Sequence, residues 1–559
     1  MSGIDWAILV LTLLSIVLYG TWKTRKNSNL EGYLKGNNSE NWATIGLSIM
    51  ATQASAITFL STPGQAYEDG MGFIQIYFGL PLAMIIISVF FLPIYYRLKV
   101  YTAYQYLEQR FDVKVRSLTA LLFLLSRGLS AGITIFAPAI ILSTLLDWNL
   151  QLTCLVIGVL VIVYTVSGGS RAVSITQKWQ MAVIMLGMFV AFYYVLDTLP
   201  NEVGIAEGVE IAGKMGKMEI VDLSVQSSEN YTLWYGLLGG LFLSLSYFGT
   251  DQSQVQRYLG GKSLKASRMG LMMNGILKIP MQFFILFVGI MVFVSYQFNK
   301  PPIIFNESVT IEKAVQHEDL IAIETNYDAI HKLKQIELQA ITKGEKSDYT
   351  QAQHLQAEQD SLRKEYKTKL QNLEPTYEKT DHDYIFLNFV LNYLPKGLIG
   401  LLLAMIFSAA MSSTAGELNA LASTTTIDYY KKFWSKGDED EKKDLKVSKL
   451  LTVGWGVLAI IVALTAGLFD NLIELVNILG SLFYGTILGV FLIAFFFKKI
   501  GGKPTFYGAI IAEIVVLIVH LLNVYEVIEI SYLLYNLIGS ALVILSAYLI
   551  QSIQKSNNN

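Results

Sequence analysis

The chain has 559 residues, is 53% hydrophobic and only 15% charged, and has a mean hydropathy of +0.46, whereas a soluble domain is closer to a quarter charged. Its single cysteine, Cys154, and its five histidines exclude a disulfide framework and a cysteine-rich metal site. A net charge of −2 without a basic groove of interleaved aromatics excludes a nucleic-acid partner.

Thirteen hydrophobic spans are expected, at about 5–22, 42–64, 73–95, 117–143, 149–167, 178–197, 232–256, 268–295, 395–420, 448–468, 472–497, 506–524 and 529–550. Each is near the ~20 residues that a membrane helix needs, so the fold class is an all-α integral membrane protein in a lipid bilayer. The first span lacks a positive n-region and a clear small-residue cleavage site before Trp22 and Lys23, and reads as a retained helix. The second is interrupted by ATQASAITFLSTP, residues 51–63. Such a break is tolerated in mid-membrane only where protein or an aqueous cavity satisfies the freed backbone groups. Carriers build ion and solute sites from broken helices of this kind. In the seventh span Gly236, Gly239 and Gly240 precede Ser244, Ser246 and Tyr247, which permits a break or a close helix crossing.

Loop charge gives an orientation. The basic loops around TWKTRKNSN, YYRLKVYTAYQYLEQRFDVKVR, Arg171, QRYLGGKSLKASR, KKFWSKGDEDEKK and KKIGGK alternate with poorer loops at 65–72, 198–231, 297–383 and 469–471. The positive-inside rule places the basic set in the cytoplasm, the N-terminus outside and the C-terminus inside the cell's inner (plasma) membrane. The expected organisation is an extra helix and loop at 1–41, a first repeat at 42–197, an external loop at 198–231, a second repeat at 232–497, two extra helices at 498–550 and a tail at 551–559. The hydrophilic insert 297–383 is expected to be an external helical hairpin, with Ile330, Leu333, Ile336 and Ile341 on one helix and Leu355, Leu362, Tyr366, Leu370 and Leu373 on the other. GEKSD at 344–348 reads as the turn. Its readings are a cap, a surface for an external partner, or a solvated insertion.

Several residues could carry transport. Unwinding in the second span would expose the carbonyls of Ala51 and Ala54. Ala409, Ser412 and Ser413, at i, i+3 and i+4, share one face of the ninth span. Two hydroxyls and carbonyl oxygens make a neutral cage of hard ligands that suits sodium. Small residues that let two membrane helices pack closely are an equal alternative. Arg127 lies about 10 residues into the fourth span, ~15 Å deep. It needs an acidic partner, water or a substrate carboxylate. Asp251 and Glu417, near the cytoplasmic ends of their spans, could neutralise Arg127 or Arg257 as an inner gate. Lys278, followed by Pro280, is a further gate or solute-contact candidate.

The pieces ATQASAITFL, TAYQYLEQRF, SGGSRAVSITQ, YFGTDQSQVQRYL and AMIFSAAMSSTAG together resemble the sodium:solute symporter family over about residues 5–525. The resemblance implies a five-plus-five inverted-repeat core with discontinuous helices, spans 2–6 and 7–11. It implies a sodium site at Ala51, Ala54, Ala409, Ser412 and Ser413, with Na+ as coupling ion and no other cofactor. The inner-gate tyrosine of the sugar carriers falls on Tyr247. Gln177 stands where many relatives have an aspartate, and Ala415 and Gly416 where serines complete a second cation site, so one sodium is expected. The sugar-contacting positions fall on Thr58, Phe78 and Ile461, and Gln53 in the interrupted span is a further candidate for solute contact. This set is too poor in polar groups for a hexose, whose unpaired hydroxyls would be costly. The expectation is a sodium-coupled importer of a small organic solute, foremost a monocarboxylate or other organic anion, bound between spans 2, 3, 7 and 11. The alternatives are a sodium/sugar symporter, a proton-coupled carrier titrating at Asp251 or Glu417, and a transporter-like sensor. No paired catalytic groups at one depth suggest an enzyme.

Overall fold

The computed structural model describes all residues except 1, 25–29, 36–38, 99, 147, 225–230, 307–316, 374–380, 436–439, 466–471 and 557–559. The expected turn at 469–471, parts of three basic loops and of the loops 198–231 and 297–383, and the end of the tail therefore lie outside the described residues, as does the Arg171 side chain. The described residues are all-helical apart from turns and one isolated bridge, Glu40–Gly261. All thirteen expected spans coincide with helices. They are α1 (Gly3–Thr24), α2 and α3 (Trp42–Gln53 and Ala56–Asp69), and α4 (Leu80–Ile86, running through a π turn into Leu92–Leu98). Next come α5 (Val113–Leu146) and α6 (Leu150–Asp197), which holds two spans. The second repeat opens with α7 and α8 (Gly240–Thr250 and Gln252–Leu259), followed by α9 (Leu264–Phe298). After the insert come α10 (His382–Tyr393), α11 (Leu398–Thr424), α12 (Glu441–Ala463), α13 (Leu472–Phe496), α14 (Gly502–Val524) and α15 (Tyr535–Ser556). Helices satisfy their backbone polar groups internally, which the hydrocarbon core demands. Leu11, Leu18, Val163 and Ile276 turn outward, as side chains facing lipid do.

The first helix of each five-helix repeat is broken. Asn41 caps α2 by accepting from Thr44 N–H at 2.9 Å, and the helix runs only to Gln53. Ala54 (φ −81, ψ 79) and extended Ser55 separate it from α3. The interruption is confined to these two residues, and Pro63 is accommodated inside α3. In the second repeat the glycines mark a close crossing, not the break. A Cβ on Gly236 would lie 2.2 Å from Gln75 O, and one on Gly240 2.3 Å from Ile76 O. The chain instead breaks at Asp251 (φ −75, ψ 122), whose carboxylate caps α8 by accepting from Ser253 N–H at 2.7 Å. Gly169, at φ 60, turns the two spans of α6 apart, a conformation that glycine adopts without steric penalty.

The insert is a helical hairpin of Glu318–Thr342 and Thr350–Leu373, with GEKSD in the turn between them. The buried face of its first helix differs from expectation. Leu333 and Ile336 are exposed, while Tyr327, His331, Lys334 and Leu338 are buried. Aliphatic spacing pointed to the wrong stripe because two ionisable side chains occupy the inner one. On the second helix Leu355, Tyr366 and Leu370 are buried as expected, and Leu373 is exposed.

Candidate functional site

The break in the second span frees two carbonyls. Ser55 N–H, the ordinary helical donor to Ala51 O, bonds Gln53 O at 3.0 Å. Thr58 N–H, the ordinary donor to Ala54 O, bonds Ser55 O at 3.0 Å. The small face of α11 packs against this point, and Ser412 Oγ donates to Ala51 O at 2.9 Å. Ser413 Oγ is buried with no hydrogen-bond partner among the described residues, and Ala409 is fully buried one turn earlier. Of the five residues picked out in the sequence, Ala51 and Ser412 are in direct contact, Ala54 lies in the break beside Ala51, and Ala409 and Ser413 flank Ser412 on α11. Freed carbonyls and an orphaned hydroxyl form a set of hard, neutral oxygens that fits a sodium ion.

Gln177 braces this junction. Its Nε2 donates to Thr52 Oγ1 at 3.0 Å and to Ser412 O at 3.2 Å, and its Oε1 accepts from Ser48 Oγ. A carboxylate here could not donate to the Ser412 carbonyl.

Beside the break lies a cavity of about 110 Å³. Its walls come from the second span (Gln53, Ser55, Thr58), the third (Ile76, Tyr77), the seventh (Ser244, Tyr247, Phe248) and the eleventh (Val476, Asn477, Gly480, Tyr484), with Arg127 at one side. Gln53 Oε1 is buried and unpartnered. Tyr247 accepts from Gln254 Nε2 at 2.7 Å, and its ring lies 5.2 Å from the Arg127 guanidinium carbon.

Arg127 is paired within the protein. Its Nε donates to Asp251 Oδ2 at 3.1 Å and its Nη1 to Glu417 Oε1 at 2.9 Å, and Nη2 also bonds Asp251 and the Tyr484 hydroxyl. Tyr484 donates to Asp251 Oδ2 at 2.8 Å, and Thr134 to Glu417 Oε2 at 3.0 Å. A substrate carboxylate would have to displace two protein carboxylates that already neutralise this cation, so the reading of Arg127 as a substrate anchor is corrected. Asp251 and Glu417 neutralise Arg127 and not Arg257.

Two further positions are corrected. Ile461 is 55% exposed on α12 and does not line the cavity. The wall it was expected to supply belongs to the next helix, α13. Phe78 is half-buried outside the cavity, while its neighbour Tyr77 lines it. Lys278 is fully buried. Its Nζ has no hydrogen-bond acceptor among the described residues and sits 5.3 Å from the Tyr77 ring. Tyr484 and Asn477 were missed. Their signal was only that both are polar in a mostly apolar span, seven residues apart and so on one helix face.

The sequence model of the sodium:solute symporter family matches residues 33–325 and 373–515, so the unmatched interval falls in the hairpin. The sodium/sialic acid symporter NanT of Aliivibrio fischeri is 25% identical over 563 residues, covering 100% of this chain and 94% of the relative. Sodium-coupled monocarboxylate transporter 2 of Bos taurus is 23% identical over 508 residues, covering 90% and 70%. A solved Na+-coupled sialic acid symporter, substrate-bound and outward-open, superposes with a TM-score of 0.76 at 23% identity, over 99% of this chain and 98% of that one. The likeness extends to the whole inverted-repeat fold.

Proposed function

The chain belongs to the sodium:solute symporter family, and we propose that it couples one sodium ion to the import of a small organic anion, foremost a monocarboxylate. The symport reading rests on one observation: the Ser412 hydroxyl meets the Ala51 carbonyl where the first repeat breaks, with the buried, unbonded Ser413 hydroxyl beside it in the chain. Sodium at Ala51, Ala54, Ala409, Ser412 and Ser413 would draw α2 and α3 against α11 and so close the cavity on that side. Solute affinity then depends on sodium occupancy, and linkage makes the dependence reciprocal. Tyr247 would shield the solute until the cage loosens and both are released. The Gln177 amide, donating into the junction, supports a single coupling ion. The work is done by an ion gradient and needs no chemical step. Basic loops inside place the N-terminus outside, the C-terminus in the cytoplasm and the hairpin on the external face of the plasma membrane.

The anion reading rests on Lys278. It is a buried amine with no hydrogen-bond or ion-pair partner among the described residues, 5.3 Å from the ring of Tyr77, which lines the cavity, and a buried charge of this kind needs a partner. The relatives named above take sialic acid and monocarboxylates, which share a carboxylate. Thermal stabilisation of the purified protein by small carboxylates, in sodium and in potassium, tests both readings. Wild-type protein should respond to a carboxylate only in sodium. Ser412→Ala with Ser413→Ala should lose the sodium response, and Lys278→Met the carboxylate response alone. A sodium response that survives the double serine change refutes the cage. A carboxylate response that survives Lys278→Met refutes the anion assignment.

A further inference from the structure

Arg257, on α8, is one of the largest fully buried side chains in the protein, at 2% exposure. It forms no ion pair among the described residues. Nε donates to Ser253 O at 3.3 Å, and Nη1 reaches Ser174 Oγ at 3.5 Å. Nη2 has no partner. It points toward α11, where a Cβ placed on Gly416 would lie 3.9 Å from Nη2 and 3.6 Å from Thr52 Oγ1. Gly416 is one helical turn beyond Ser412 and Ser413. A chain of hydroxyls, Ser174 to Ser48 at 3.5 Å and Ser48 to Gln177, leads from the same guanidinium to the amide that holds Ser412 O.

The charges around the junction sum to zero but are unevenly shared. Asp251 and Glu417 are both spent on Arg127. Arg257 has Glu40 and Tyr164 acting on it through space, and no salt bridge among the described residues. An unpaired buried cation is costly and persists only where something offsets it. Nothing in the fold's packing requires a charge here, since Ser253 O and Ser174 Oγ would satisfy a neutral amide equally well.

We propose that Arg257 sets the sodium affinity of the cage, its unpaired positive charge repelling the ion so that sodium is held weakly enough to leave. This inference rests on the assignment of the cage to Ala51, Ala54, Ala409, Ser412 and Ser413. Gly416 is ~5–6 Å along its helix from the cage hydroxyls, and Nη2 is 3.9 Å from a Cβ placed there, so the guanidinium lies within about 10 Å of the cage. Two unit charges at that separation and an effective dielectric of ~20 change affinity by roughly tenfold to thirtyfold. Arg257 acts on the ion and not on the solute. It is therefore a residue that tunes affinity, distinct from the ligands.

The test is a sodium titration of thermal stabilisation without solute, run on wild type, Arg257→Gln, Arg257→Lys, Ser174→Asp and Ser412→Ala with Ser413→Ala. Arg257→Gln should reach half-saturation at roughly tenfold less sodium, and Arg257→Lys should stay near wild type. Ser174→Asp, which gives Arg257 a carboxylate partner in place, should also shift to lower sodium. It decides the matter if Arg257→Gln does not melt cooperatively. A sodium response persisting in the double serine variant overturns the cage and this inference with it. A response lost there but unchanged in Arg257→Gln and Ser174→Asp overturns this inference alone.

Discussion

Arg127 and its two acids offer a graded perturbation. Asp251 takes two Arg127 contacts and the Tyr484 hydroxyl on Oδ2, and the Ser253 amide and hydroxyl on Oδ1 at 2.7 and 2.6 Å. Glu417 takes one Arg127 contact and one from Thr134. Removing one partner of a buried pair costs about 3–5 kcal/mol, whereas losing a single hydrogen bond to a charged group costs about 1.5–3 kcal/mol. Asp251→Asn is therefore expected at the upper figure and Glu417→Gln at the lower. Arg127→Met should be worst, because it strands two carboxylates together, and the triple neutral variant should be more stable than Arg127→Met alone. Extending the size scaling of melting to a chain this long gives roughly 1–2 °C per kcal/mol, or roughly 3–10 °C for Asp251→Asn. The assay is the apparent melting temperature in detergent at one matched scan rate, since melting of such a protein is commonly irreversible. Equal losses for the two acids, or no recovery in the triple variant, would refute the argument.

Two other perturbations follow from groups outside the transport path. In the hairpin, burial lowers the Lys334 amine from 10.5 to about 7 and the His331 imidazole from 6.5 to about 4. The unfolded hairpin then binds more protons than the folded one, for lysine between pH 7 and 10.5 and for histidine between pH 4 and 6.5, so stability rises with pH in both windows. Hydrogen-exchange protection of the hairpin, corrected for intrinsic rates, should grow from pH 7 to 9, and Lys334→Met should flatten that slope. At the N-terminus, Asp5 Oδ1 accepts from Gly397 N–H and, at 3.2 Å, from Gly400 N–H, which pins α1 to the start of α11. Asp5→Asn should cost about 1–3 kcal/mol and expose α1 to proteolysis before the core melts. Unchanged protease sensitivity would show that the pin is idle.

Much of the carrier could be read from its residues, because lipid makes hydrophobic length informative and a polar interruption conspicuous. ATQASAITFLSTP announced the break, and AAMSST announced the face that meets it. What stayed hidden depends on partners far apart in sequence. Asp251 ends α7 through a local cap that resembles any Asp–x–Ser, and the glycines upstream were the more obvious candidates. Tyr484 is one aromatic among many until four helices converge on Arg127. Ile461 was misplaced because it was carried over by resemblance onto the tenth span, 448–468, whereas the cavity wall is made by Val476, Asn477, Gly480 and Tyr484 of the eleventh. In the hairpin, aliphatic spacing gave the helices but not their inward stripe, since a lysine sheltered by Gln356 and Gln359 occupies it.

The two ends of the hairpin segment meet. Phe305 N–H donates to Asp381 Oδ2 at 2.7 Å, and Lys367 binds the other oxygen of the same carboxylate. A stretch of chain that leaves and returns at one point can be gained or lost without rethreading anything else, since loop closure costs little more for a long excursion than for a short one. The hairpin is in this sense a module on a single graft point. A few glycines and serines joining 305 to 381 should leave the thirteen spans packed as they are, and a foreign domain spliced there should ride on the carrier without entering it.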